Sequence, residues 1–518
     1  MLQQAVNAAQ RLPDSRTQSF AWGELGHFYE CRQNFERALL LTNQARWAAD
    51  AQARDGLFNW DWQAGRIYLA LGREEEAIAA LEQAVALLQG TANVEGGLRG
   101  ELISAQRDLQ FDFRDAIAPL YRDLARLRLT RAERYSLETT TGMEEFDRAV
   151  ETIDKLRLAE IQNHFGNDCI LRAVIPGISI EELTGNHKAI IGSIIFSDRT
   201  AIIAALPGRK RHLHWIERDS RSLEAEIHDY RQELERFREL NYTPHQAQKL
   251  YDWLIRPLEK DLKQTQLKIL VFVQDGFFRS IPMAALHNGQ QFLVQSYATA
   301  MLPSFSAVAP QVPESDVIKI LTLGLTESAV IDRQPFPALT FVEREIAQIQ
   351  RQFPLTRQLL NENFTAKALF QELKQTNPSI VHIATHGQFG TTPEDTFLVA
   401  GNNQKLTLNE LEEIIRFANL DGDAIRLLIL TACQTAVGDD RITLGLAGIA
   451  VQAGVNNAIA SLWFVRDAPT AQFAQDFYGS LATIANKALV LQTAQQNLIA
   501  QGLHPAFWAP FILIGNDL

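Results

Sequence analysis

Ser379-Ile380-Val381-His382-Ile383-Ala384-Thr385-His386-Gly387 is an apolar run that stops on a histidine and a glycine. Further along, Arg426-Leu427-Leu428-Ile429-Leu430-Thr431-Ala432-Cys433 is a second such run, and it stops on a cysteine. Short continuous apolar runs bounded by polar segments suit strands buried on both faces of a parallel sheet. The polar endings then lie at the carboxyl ends of strands, where such sheets collect their reactive groups. His386 can hold a proton and Cys433 can lose one, and they stand 433 − 386 = 47 positions apart. That is the minimum equipment for nucleophilic catalysis by sulfur.

Outward from these runs, residues 311–518 alternate between strand and helix. Strands are expected at 317–324, 355–360, 379–385, 426–432, 456–462 and 510–515. Helices are expected at 340–353, 365–376, 407–417, 468–484 and 486–501, with a polar loop after His386. This order implies a mostly parallel sheet covered on both faces. Upstream, 189–196 and 200–206 flank Ser197-Asp198-Arg199 as a hairpin. Helices at 219–240 and 250–262 lead to a buried strand at 268–274 that ends on Asp275-Gly276, a turn dipeptide.

The first 165 residues read as helices and contain a repeat. Trp22, Gly26, Tyr29, Ala38 and Ala45 are matched at an offset of 39 by Asp61, Gly65, Tyr68, Ala77 and Ala84, with only the Trp position broken. Small residues at the glycine and alanine positions let antiparallel helices approach closely. The pattern resembles the tetratricopeptide repeat, whose stacked hairpins line a groove for a partner peptide. The connection through 50–59 is long, which departs from strict superhelical stacking, and helices at 97–128 and 130–163 keep the amphipathic pattern without the signature. The expected fold class is therefore α + α/β.

Composition sets limits. At 518 residues the chain exceeds one core, and 46% hydrophobic with 21% charged residues is ordinary for a globular protein. A formal charge of −12 argues against general polyanion binding, so no direct nucleic-acid partner is expected. Cys31, Cys169 and Cys433 are odd in number and far apart, which fits neither a disulfide framework nor a zinc site. A reducing cytoplasm is the expected compartment, and neither an export signal nor an 18-residue apolar run is visible. No cofactor is expected: Gly445-Leu446-Ala447-Gly448 is not a phosphate loop, His382 and His386 lack a zincin glutamate, and His212 with His214 lacks a third ligand. His382 reads as a core residue. The segment 437–443, with Asp439 and Asp440, reads as a surface excursion or a gate over a cleft.

A free thiol is mostly protonated at neutral pH, with a pKa of about 8.5 against about 6.5 for imidazole, so Cys433 needs a base such as His386. The thiolate attacks a carbonyl, the imidazolium returns the proton to the leaving group, and water completes hydrolysis. The tetrahedral oxygen requires two aimed N–H donors, which Gly387 and the backbone of Cys433 can supply. Each residue alone also has an ordinary reading, the cysteine as a small buried hydrophobe and the histidine as a satisfied core residue.

Five ordered blocks decide between these readings: 270–286 (Leu270-Val271-Phe272-Val273-Gln274-Asp275-Gly276 onward), Ala384-Thr385-His386-Gly387, Thr431-Ala432-Cys433-Gln434-Thr435-Ala436, 458–467 (Ala458 to Asp467) and 504–515 (His504 to Gly515). Together they resemble the CHAT family of caspase-like, separase-related peptidases, over about 150–518. The helix from Ala149 to Phe165 resembles the segment that joins tetratricopeptide repeats to this domain in such fusions. The resemblance implies a repeat domain at 1–168, a pseudo-caspase half without catalytic residues at 169–310, and a catalytic caspase-like half at 311–518. It implies a thiol endopeptidase with His386 and Cys433 as the catalytic pair, and their spacing of 47 is close to that of caspases.

In caspases and metacaspases the residue two before the cysteine helps line the specificity pocket; here it is the neutral Thr431. A pocket for Arg or Lys would need its acid elsewhere, and Asp467 is the matching candidate in separase-like members. Arg466 could neutralise it, and Asp467 also reads as a helix N-cap before Pro469. The expected partners are a protein or peptide substrate and a regulatory protein in the repeat groove, with no membrane. The alternative is a catalytically silent interaction scaffold.

Overall fold

The computed structural model describes residues 1–49, 54–89, 117–165, 180–185, 187–235, 242–306, 317–389, 396–421, 425–431, 434–435, 455–463 and 465–515. The helix start expected at 97, Cys169, Cys433 and the segment 437–443 lie outside these residues. The chain divides into two compact units, Met1–Leu156 and Arg157–Leu518.

In the first unit, helices Ser15–Cys31 and Phe35–Ala48 form one hairpin, and Arg54–Ala70 and Glu74–Gln89 form the next. Asp14 and Asn34 cap the first two by accepting backbone N–H groups with their side chains. A Cβ on Gly26 would lie 3.3 Å from the Ala38 carbonyl, and one on Gly65 would lie 3.4 Å from the Ala77 carbonyl. The repeat in sequence is thus a repeat in packing, with Ala38, Ala45, Ala77 and Ala84 wholly buried. The later boundary expected near 129 falls instead between helices Ala118–Tyr135 and Thr140–Phe165. There Ser136 turns the chain at φ 68 and the Thr139 hydroxyl caps the new helix at Gly142.

Asp61, which breaks the repeat at the Trp22 position, is buried and its carboxylate lies 2.6 Å from Arg46 Nε. Burial outweighs the guanidinium and pushes the carboxyl up to about 6. A folded-state value above the usual 3.8 means that the protonated acid favours folding; this contribution is full below about pH 4 and is lost as pH rises through about 6. Asp61→Asn is expected to remove that loss. The stability difference between variant and parent should shift by roughly 2–3 kcal/mol in favour of the variant from pH 4 to pH 7. Hydrogen exchange in helices Phe35–Ala48 and Arg54–Ala70 reads it, and a pH-independent difference would refute the assignment.

The second unit is built on one eleven-stranded sheet. Its order is Lys210–Ile216, Thr200–Leu206, Lys188–Ile195, Ile269–Val273, Ala298–Met301, Phe511–Gly515, Asn457–Ser461, Leu427–Leu430, Ile380–Ala384, Ile320–Gly324 and Thr356–Leu360. The first two pairings are antiparallel, and the last strand of the chain runs antiparallel to Asn457–Ser461. The other neighbours are parallel. The fold is α + α/β, as expected. Ile514 pairs with Met301, so strands from 188–301 and from 320–515 share the sheet.

Two expectations for this unit are also corrected. The single helix at 250–262 is His245–Leu254, a 3-10 turn at Arg256–Leu258 and Glu259–Gln264. Pro257 lacks an N–H and crowds the carbonyl four residues back, which ends a helix before it. Part of the polar loop after His386 is structured: Phe397–Ala400 and Gln404–Thr407 join Gly387–Phe389 and Gln434–Thr435 in a second, four-stranded sheet. Its strands are two to four residues long, too short to show a period.

Candidate active site

Strand Ile380–Ala384 lies between Ile320–Gly324 and Leu427–Leu430, both parallel to it, and so has the same carboxyl end as its neighbours. His386 follows it immediately. The backbone on either side is fixed by Phe397–Ala400: the Thr385 hydroxyl donates to the Val399 carbonyl at 2.5 Å, and the Val399 N–H donates to the His386 carbonyl at 2.8 Å. The imidazole is 4% exposed. Its Nε2 lies 2.7 Å from the Pro337 carbonyl, and the ring packs at 5.5 Å against Phe336.

That contact sets the tautomer. A carbonyl oxygen only accepts, so Nε2 carries the hydrogen and the basic nitrogen of the neutral ring is Nδ1. Phe336 ends a hairpin absent from the sequence expectations, Ala329–Ile331 with Gln334–Phe336, and Pro337 follows it directly. Its turn residues Asp332 and Arg333 have φ of 48 and 70, and with neither Gly nor Asn there the usual signal is missing. Leu325, Ala329, Ile331 and Phe336 form a buried cluster with Phe397 and Val399, which holds the hairpin against the second sheet.

Cys433 lies outside the described residues, while its flanks are placed. The Thr431 N–H donates to the Ile383 carbonyl at 3.2 Å, three residues before His386. On the other side, Gln434 pairs with Gln388, two residues after it. Gly387 pairs with Leu398. Thr431 is 2% exposed and its hydroxyl has no hydrogen-bond partner among the described residues. Asp467 is the first residue of the helix Asp467–Leu481, with Arg466 in the N-cap position.

The structure adds a buried polar group beside this strand. His382, expected as a core residue, is wholly buried, with Nδ1 3.1 Å from the Tyr478 hydroxyl and Nε2 2.9 Å from Glu345 Oε1. Burial, and then the Glu345 charge, raise the Tyr478 phenol well above its usual range. It stays protonated and donates to Nδ1, so the ring hydrogen sits on Nε2, the nitrogen that faces Glu345. Helices Val342–Gln352 and Asp467–Leu481 are thereby both tied to the strand that leads to His386.

Near the carboxyl ends of strands Lys188–Ile195 and Ile269–Val273 other charges are placed. Arg157 donates to the Ser193 and Val273 carbonyls at 2.8 and 3.1 Å, Arg279 pairs with Glu160 at 2.7 Å, and Asp275 accepts from the Ile195 N–H at 2.9 Å. The other histidine pair, His212 and His214, meets Asp261 Oδ2 and the Trp253 carbonyl respectively, each at 2.8 Å. Among the described residues no group of three or more His, Cys, Asp or Glu could hold a metal ion. No described helix is long and apolar enough to cross a membrane.

A family model for the CHAT domain matches residues 244–516. Tetratricopeptide repeat protein 28 of Homo sapiens is 24% identical over 340 residues, which is 54% of this chain and 13% of that protein. The protein of the same name from Mus musculus is 23% identical over 328 residues, 52% of this chain and again 13% of its own length. The chain thus spans only a small part of these curated relatives. Among solved structures, the Saccharomyces cerevisiae separase-securin complex aligns with a TM-score of 0.40 at 10% identity, over 99% of this chain and 48% of that one. The complex of Porphyromonas gingivalis RgpB pro- and mature domains aligns with a TM-score of 0.34 at 11% identity, over 57% and 76%.

Proposed function

The chain belongs to the CHAT domain family, and from that premise we infer that it is a cysteine endopeptidase acting through His386 and Cys433. The observation that carries this reading is the hydrogen bond from His386 Nε2 to the Pro337 carbonyl. It orients an imidazole with Nδ1 as its base at the end of the strand beside the one that runs into Cys433. Nδ1 takes the thiol proton, the thiolate attacks the peptide carbonyl, and the imidazolium protonates the departing amine. The N–H groups of Gly387 and Cys433 receive the tetrahedral oxygen. Water then hydrolyses the acyl-enzyme with His386 as its base.

In this reading residues 1–168 recruit a protein partner or substrate, 169–310 form a pseudo-caspase half and 311–518 carry the chemistry. Thr431 and Asp467 line the specificity pocket, and Asp467 selects Arg or Lys at the cleaved bond. The test is incubation of the purified protein, alone and with proteins from its own cells, against a peptide library. Cleavage after Arg or Lys is expected, and Asp467→Asn should lower kcat/KM for these substrates by about tenfold or more. Cleavage that persists in Cys433→Ala would overturn the assignment, as would none under either condition.

A further inference from the structure

The exposed thiol of Cys31 stands in a constellation of its own, remote in sequence from the site above. Cys31 is free and ends the helix Ser15–Cys31. Its Sγ lies 3.6 Å from His27 Nε2, and His27 Nδ1 lies 3.0 Å from Glu30 Oε2. Positions three and four apart share one face of a helix, which brings these three side chains together. Glu30 is fixed from the next hairpin by Arg66, whose Nε and second nitrogen reach its two oxygens at 2.7 and 3.0 Å.

These contacts give each group a role. Burial alone would raise the Glu30 carboxyl, but hydrogen bonds from Arg66 and His27 hold it below its usual range, so it is an anion at neutral pH. An anion only accepts, so His27 Nδ1 carries the hydrogen and Nε2 is left to face the thiol as a base. A carboxylate that orients an imidazole, which in turn faces a thiol, is the arrangement that activates a sulfur nucleophile. The thiol is exposed, so a small electrophile reaches it.

We propose that Cys31 is a redox-modification site, a thiol that reduces hydrogen peroxide and passes to a mixed disulfide with a low-molecular-weight thiol. The thiol proton moves to His27 Nε2 as sulfur attacks one peroxide oxygen; the S–O bond forms, the O–O bond breaks, and the departing hydroxide takes the proton back as water. Cys31 is oxidised by two electrons to the sulfenic acid and the peroxide is reduced. The second thiol then attacks this sulfur, forming the S–S bond and releasing water.

The full-length protein is treated with one equivalent of hydrogen peroxide and dimedone, which traps sulfenic acids, and adducts at Cys31, Cys169 and Cys433 are quantified separately by mass spectrometry. Cys31 is expected to react about tenfold faster than the same cysteine in a synthetic peptide of residues 26–36. His27→Gln should slow it about fivefold or more. Equal rates in protein and peptide overturn the proposal, and so does a folded His27→Gln protein that reacts like the parent. The peptide comparison needs no variant and decides the matter even if His27→Gln fails to fold.

Discussion

Cys433→Ala is expected to abolish peptide hydrolysis, and His386→Ala to lower kcat/KM by roughly 10⁴-fold. The two losses should not add, because a thiol without its base and a base without its thiol fail at the same step. The double variant should therefore be no worse than Cys433→Ala alone. His386 also has a structural place, wedged between Phe336 and the Pro337 carbonyl, so each variant needs a folding control such as its circular dichroism spectrum. A folded His386→Ala protein that retains activity within about tenfold of the parent would remove the histidine from the mechanism.

The second large effect concerns stability. His382→Leu is expected to destabilise the second unit by roughly 3–5 kcal/mol, since it leaves the Glu345 carboxyl group buried without the imidazole that lies 2.9 Å from it. Tyr478→Phe should cost less, roughly 1–2 kcal/mol, because it removes one neutral hydrogen bond while the Glu345–His382 contact survives. Replacing Glu345 and His382 together by Leu should recover most of the loss, as apolar groups of similar volume can stand in for a buried pair. Urea unfolding monitored in the second unit measures all three. A His382→Leu penalty below about 1 kcal/mol would mean that the contact is dispensable.

The parts of the fold legible in sequence were those with a period. The run 379–385 is observed as Ile380–Ala384, 426–432 as Leu427–Leu430, and the last strand as Phe511–Gly515. The offset of 39 reappears as the paired approaches at Gly26 and Gly65. What was not legible was short or non-local. The hairpin that positions His386 has three-residue strands and a turn without glycine, and the Pro337 carbonyl is 49 positions away from the imidazole it holds. His382 carried a signal in being a polar residue within an apolar strand, which demands a partner. Glu345 and Tyr478 lie on helices distant in sequence, and nothing local names them. Asp61 likewise stood out as a charge in the place of a tryptophan, and its partner Arg46 belongs to the neighbouring hairpin.

In the proposed mechanism Cys433 is a nucleophile activated by His386. The direct measurement is covalent labelling with a peptidyl acyloxymethyl ketone carrying arginine next to the reactive group, followed by mass spectrometry of the digested protein. A thioether on Cys433 is expected, formed in the parent protein and at least about 100-fold more slowly in His386→Ala. A Cys433 that stays unlabelled while the folded protein is intact, or is labelled equally fast without His386, would contradict it and leave the domain as a silent binding module.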